Sequence, residues 1–180
     1  MGRDAIPSCC RFAAFSTDLG WCAIAWSKDG VVAIKLPEDT EEQAIERLLA
    51  DAPFASPGRP TALIGQVIAA FRRHLAGAPQ DYGFVPLDLR GIRGFRRQVF
   101  EAARQLPLGG TVSYGELGTL AGSPRAARAV GQAMARNRFP LVIPCHRVVA
   151  SNGLGGFSGS GGLKLKKLLL AFEQSGAVAE

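Results

Sequence analysis

Aspartate is missing from the whole of residues 91–180, and histidine occurs only twice in the chain, as His74 and His146. That half carries twelve Lys/Arg against four Glu, whereas residues 1–90 carry nine Lys/Arg against eleven Asp/Glu. A basic half joined to a near-neutral half points to a polyanion-binding surface on the C-terminal part. A solvated basic face with no partner accounts for the charge equally well. Long apolar runs are also lacking: none reaches the roughly 18 residues that a membrane helix needs. The opening "MGRDAIPSCCRFAAF" has no signal-peptide core or cleavage site, so the expectation is a soluble, cytoplasmic protein with no membrane partner. The four cysteines, Cys9, Cys10, Cys22 and Cys145, then read as thiols and not disulfides.

What is present fits an α+β chain of one or two small domains. "GWCAIAWSKDGVVAIKL" reads as two strands joined at Lys28-Asp29-Gly30, since Asp-Gly between apolar runs signals a hairpin. "DTEEQAIERLLADA" predicts a helix with acids in its first turn and Ala44, Leu48 and Leu49 at helical spacing. "PTALIGQVIAAFRRHLAG" predicts a second, closed by Gly77. "PSCCR" and "PFASPGRP" read as loops. The aperiodic "VPLDLRGIRG" suggests a boundary, giving an N-terminal α+β domain over 1–88 and a mostly helical domain over 89–180. In the latter, Phe95, Val99, Ala102, Ala103 and Leu106 mark one apolar helix face. Ser113-Tyr114-Gly115-Glu116 is a capping-box pattern. Ser123-Pro124 predicts an N-cap with proline at the first helical position. A short helix, Gly122 and a second helix make a helix-turn-helix pattern.

At about 100° per residue over 124–136, Ala127, Val130 and Met134 form a core stripe. Arg125, Arg128, Gln132 and Arg136 lie opposite, beside the small residues Ala129, Gly131 and Ala135. Such a face can approach nucleic acid closely. An ordinary Ala-rich surface helix would show the same pattern.

In "PLVIPCHRVVASNG" a cysteine, a histidine and an arginine stand in succession. Pro140 and Pro144 stiffen the approach, and Asn152-Gly153 offers a turn beyond. A base or positive charge near a thiol raises its thiolate fraction. Neighbouring side chains usually diverge, however, and a cysteine packed in a buried strand is the other reading. "IPCHRVV" resembles the active-site signature of the O6-alkylguanine-DNA alkyltransferases, the methylated-DNA–protein-cysteine methyltransferases. The resemblance continues through "GTVSYGELGTLAG", "SPRAARAVGQAMARN" and "GGLKLKKLLLAFE", and so spans residues 85–173.

The resemblance implies direct repair of O6-alkylguanine in double-stranded DNA. The helix-turn-helix binds the minor groove, the damaged base is flipped out, and the alkyl group passes irreversibly to Cys145 in a single turnover. It implies His146 as base through a water, oriented by Glu173. Asn137 ties the turn before the active-site strand, and Tyr114 rotates the nucleotide and donates a proton toward guanine. Arg128 fills the gap in the stack. Arg125, Ala127, Ala129, Gly131 and Ser151 join it at the DNA. Met134, Pro140 and Val148 wall the pocket, and Ser158, with Ser160 as the alternative, meets the guanine oxygen. Arg147 reads as a structural ion-pair or carbonyl partner. Neither cofactor nor metal is expected, and the protein reads as a monomer.

Two departures stand out. Phe157 occupies a place where many relatives have tyrosine, in a loop one residue longer than in some. Some relatives also hold zinc in the N-terminal domain, but Cys9, Cys10, Cys22 and His74 lack the spacing of a structural zinc site. Three other functions compete. A damage-binding module without chemistry would lack the acceptor, yet Cys145 is present. A Cys–His hydrolase would leave the basic helix pair unexplained. A transcription regulator would need a second full module.

Overall fold

The structure is a computed structural model, and it describes residues 10–176. The chain forms two compact units, Met1–Gly91 and Ile92–Glu180. Each holds its own helices and strands, an α+β organisation.

The first unit is built on a four-stranded sheet in the order β3-β2-β1-β4. Strands β1 (Cys10–Thr17), β2 (Gly20–Ser27) and β3 (Gly30–Glu38) run antiparallel. The β2–β3 hairpin turns at Lys28-Asp29, as the Asp-Gly signal predicts. Helix α1 (Glu41–Asp51) begins at Thr40, whose hydroxyl accepts from the Gln43 N–H. It lays Ala44 and Leu48 against Phe12, Ala25 and Ala33 of the sheet. Phe15 is an odd number of residues from Phe12 and so points to the opposite face. There it meets Phe71 of helix α2 (Ala62–Leu75) edge-on at 6.2 Å. Helices on both faces explain why β2 and β3 read as nearly continuous apolar runs.

Two loop expectations are corrected. In "PSCCR", Cys10 and Arg11 begin β1, while residues 7–9 lie outside the described residues. In "PFASPGRP", Ala55–Pro57 forms β4, parallel to β1 with Cys10 opposite Ala55. A three-residue strand containing proline survives because it lies at a sheet edge. Near the end of the unit, Asp88 accepts from the Ser27 hydroxyl at 2.6 Å and from Arg90.

The second unit opens with α3 (Gly94–Arg104), which buries Val99, Phe100 and Ala103. Phe100, absent from the expected stripe, meets Phe139 edge-on at 6.4 Å. Strand β5 (Val112–Ser113) leads into α4 (Tyr114–Leu120) through the full capping box. The Glu116 N–H donates to Ser113 Oγ, and the Ser113 N–H donates to Glu116 Oε2.

Helix α5 is Ala127–Ala135, three residues later at its start than proline placement suggests. Ser123 does not cap it. Its N–H donates to the Gly118 carbonyl at 2.7 Å and its own carbonyl accepts from the Ala126 N–H. Residues 123–126 thus form a turn with Pro124 in the second position, a place its fixed φ suits. The approach needs Gly118: a Cβ there would sit 2.9 Å from the Ser123 oxygen. The α5 core stripe is Val130, Ala133 and Met134. Ala127, expected in that stripe, is exposed with the rest of the first turn.

After α5 comes a single 3-10 turn, Cys145–Arg147, then β6 (Val148–Val149), parallel to β5. Helix α6 (Gly162–Gly176) completes the unit. Among the described residues no helix is long and apolar enough to cross a membrane.

Candidate active site

Cys145 does not sit in a strand. Its N–H donates to the Ile143 carbonyl, and the Arg147 N–H donates to that of Pro144. A 3-10 turn has about three residues per turn, so successive side chains point roughly 120° apart. The half-buried Cys145 therefore faces one way while His146 and Arg147 turn inward. Both reach Glu173 of α6, which has no exposed surface.

His146 Nε2 lies 2.7 Å from Glu173 Oε1. An ionised carboxylate only accepts, so Nε2 carries the proton and Nδ1 keeps the lone pair. Arg147 donates through Nε to Oε2 at 2.8 Å and through a terminal nitrogen to Oε1 at 2.9 Å. Its other terminal nitrogen donates to the Leu106 carbonyl at 2.7 Å. The Gly109 N–H also donates to Glu173 Oε2, at 3.0 Å. Arg147 is thus the ion-pair and carbonyl partner its position suggested.

The electrostatics follow from this packing. Burial acts to raise the Glu173 carboxyl, but the bonds from His146 and Arg147 outweigh it and hold it at about 2. Burial pulls His146 below its ordinary value, against the pull of Glu173, so the ring is neutral near pH 7. Burial likewise pushes the Cys145 thiol up, opposed by the Asn137 amide, the Lys166 charge and nearby main-chain N–H groups. The resting sulfur is a thiol beside a neutral imidazole, and it needs a base at the moment of reaction.

Acid should therefore weaken the fold. The Glu173 carboxyl is the stronger acid when folded, so its contribution is complete above the unfolded pKa of about 4.3. That contribution is lost as pH falls toward about 2, an effect on the order of 3 kcal/mol. His146 acts in the same direction: below about 6.5 the unfolded ring binds a proton that the folded ring refuses. The urea midpoint should fall steadily from pH 7 to pH 3. A midpoint that holds constant or rises over that range contradicts the buried arrangement.

The other expected residues distribute as follows. Asn137 Nδ2 donates to the Ile143 carbonyl at 2.8 Å, and its Oδ1 accepts from the Phe139 N–H at 2.9 Å. It thereby clamps the turn that delivers Cys145, a turn in which Leu141 adopts φ +67°. Tyr114, half-buried at the start of α4, points its hydroxyl at the Gly156 carbonyl, 3.5 Å away. Burial and the nearby Cys145 both raise its phenol, which stays protonated at neutral pH. Met134, Pro140 and Val148 are buried. Arg125, Arg128, Gln132 and Arg136 are exposed, as are Ala127, Ala129, Ser151 and Ser158; Gly131 and Ser160 are half-buried.

Sequence reasoning missed Lys166. It is fully buried, and its ammonium donates to the carbonyls of Val148, Leu154 and Gly156. Only its place one residue from Leu165 on the buried stripe could have flagged it.

Residues 94–175 match the family described as 6-O-methylguanine DNA methyltransferase, DNA binding domain. The methylated-DNA–protein-cysteine methyltransferase of Methanothermobacter thermautotrophicus is 37% identical over 152 residues, 83% of this chain and 77% of that protein. The bifunctional transcriptional activator/DNA repair enzyme of Escherichia coli is 39% identical over 148 residues, 79% of this chain but 40% of that protein. The crystal structure of Mycobacterium tuberculosis O6-methylguanine methyltransferase superposes with a TM-score of 0.73 at 29% identity, covering 95% of this chain and 96% of that one. A structure of the M. tuberculosis protein in complex with DNA gives 0.72 at 28% identity, covering 92% and 93%. With a cysteine, histidine and buried glutamate in one unit with a helix-turn-helix, and a 37% identical relative matched over 77% of its own length, the chain belongs to the methylated-DNA–protein-cysteine methyltransferase family.

Proposed function

We propose that this protein repairs O6-alkylguanine in duplex DNA by moving the alkyl group to its own Cys145. The observation that carries the reading is that His146 and Arg147, on the turn that bears Cys145, both bond to the buried Glu173. It acts as a monomer in the cytoplasm, on double-stranded DNA.

The exposed face of α5 lies on the DNA. Arg125 and Arg136 meet phosphates, and Ala127, Ala129 and Gly131 permit close approach. Ser151 adds a contact from the turn after β6. Arg128 enters the stack where the damaged nucleotide leaves, and Tyr114 turns that nucleotide toward the sulfur. Met134, Pro140 and Val148 wall its pocket; Ser158 or Ser160 meets the oxygen.

The thiol proton passes to His146 Nδ1 through a water, and Glu173 stabilises the imidazolium. The thiolate attacks the alkyl carbon, a C–S bond forms, and the C–O bond breaks. The electron pair returns to the guanine, which takes a proton from Tyr114. The thioether has no route back to a thiol, so each molecule acts once.

Titrating protein with duplex carrying a labelled methyl group should give a burst equal to the protein present and no steady state. Continued turnover contradicts the reading. Affinity should also fall steeply with salt, because phosphate contacts release counterions. Charge reversal at Arg125, Arg128 or Arg136 should weaken binding at least tenfold more than reversal at Arg11, Lys28 or Arg47. Equal losses would remove the basic half from the interface.

A further inference from the structure

We propose that Gly109 is a positioning residue for alkyl transfer: the turn over residues 107–110 aims its main-chain N–H at Glu173 and so fixes the carboxylate that orients His146. The inference rests on His146 acting as the base toward Cys145.

Glu173 has no exposed surface. Its Oε1 meets His146 Nε2 at 2.7 Å and an Arg147 terminal nitrogen at 2.9 Å. Its Oε2 accepts from Arg147 Nε at 2.8 Å and from the Gly109 N–H at 3.0 Å. Of these donors, His146 and Arg147 both sit on the Cys145–Arg147 turn. They move with the nucleophile and cannot serve as its fixed reference. Gly109 lies outside that turn, in the connection between α3 and β5. With α6, it gives the carboxylate an orientation set independently of the groups it orients. The same connection is tied a second time, since Arg147 donates to the Leu106 carbonyl at 2.7 Å.

The local sequence, Pro-Leu-Gly-Gly, explains how a loop amide comes to point inward. The Gly110 N–H donates to the Pro107 carbonyl at 3.2 Å, which closes a four-residue β-turn. Gly109 holds the third position at φ +74°, and Leu108 before it is not among the residues at positive φ. Negative and then positive φ at the two central residues is the pattern of a type II turn. Its central peptide is turned over relative to that of a type I turn, because ψ of the second residue differs by about 150°. That reversal directs the Gly109 N–H to Glu173, and it needs a third residue that accepts positive φ.

The test compares wild type, Gly109→Val and Gly109→Asn as full chains with retained circular dichroism. Asparagine is accepted at the third position of a type II turn, whereas a β-branched residue at positive φ is an outlier. Valine therefore turns the peptide back and withdraws the N–H. One readout is the Nε2-bound ring proton of His146 in isotope-labelled protein, which reports on its bond to Glu173. The other is the rate of transfer from free O6-methylguanine base, which needs no base extrusion. Gly109→Val should move the ring proton upfield as that bond loosens, and slow transfer at least about tenfold, within what a positioned base contributes. Gly109→Asn should keep the ring signal, with transfer within about twofold of wild type. A folded Gly109→Val with an unmoved ring proton, or with the wild-type rate, overturns the proposal. Equal slowing by asparagine also overturns it, since crowding by any side chain would then be the cause.

If Gly109→Val does not fold, hydrogen exchange in the wild type decides. Leu108 is exposed, so its amide exchanges as a loop amide. The Gly109 amide, bonded to a buried carboxylate, should exchange at least about a hundredfold more slowly. Equal rates overturn the bond on which the proposal stands. A wild type with a protected Gly109 amide that takes no alkyl from the free base would instead sink the repair function. The hold of Gly109 on Glu173 would still be read from the ring proton.

Discussion

Cys145→Ser should abolish alkyl transfer while leaving duplex affinity within about twofold of wild type. Serine stays protonated far above neutral pH and is the poorer nucleophile. The expected loss is at least about a thousandfold, or ~4 kcal/mol in the barrier. Binding is spared for a structural reason: the buried bonds of the 3-10 turn run from His146 and Arg147 to Glu173. The exposed arginines in and beside α5 are not altered either. Single-turnover transfer and a gel-shift titration measure the two quantities. Transfer that persists in the variant would place the acceptor elsewhere.

Arg128→Ala should separate binding from extrusion. If Arg128 fills the space vacated by the flipped base, its loss removes compensation for an unstacking cost of a few kcal/mol. Each 1.4 kcal/mol, roughly, is tenfold in rate, so repair of bound duplex should slow by about two orders of magnitude. Transfer from the free base, with nothing to flip, should change less than twofold. Arg125→Ala removes an exposed charge in the turn before α5, and Arg136→Ala one at its C-terminal end. They should lower affinity and salt slope more than the rate of bound complex. The rates at saturating protein decide. Equal slowing of duplex and free-base reactions would mean that Arg128 supports the fold or the pocket, and it would lose its place in the stack.

Which features were legible in the sequence follows from how local their causes are. The Ser113–Glu116 capping box, the Asp29-Gly30 hairpin and α1 need only neighbouring residues, and the structure has them where the pattern puts them. Strand β4 depends on β1, more than forty positions away, so Ala55–Pro57 read as loop. The start of α5 was misplaced because Ser123 is also engaged by the Gly118 carbonyl, a contact across the turn that proline placement does not encode. Cys145 read as part of an apolar run because buried strands and buried 3-10 turns share composition. Lys166 was hidden because lysine at a helix surface is common, and only the three carbonyls assembled by the fold make it different.

The central claim is that one sulfur accepts one alkyl group and keeps it. Wild-type protein should be incubated with excess O6-methylguanine duplex, weighed intact, then digested and mapped. The account predicts a gain of one methyl per chain, carried entirely by the peptide containing Cys145. Several methyl groups per chain, or a methyl on Cys9, Cys10 or Cys22, would contradict it.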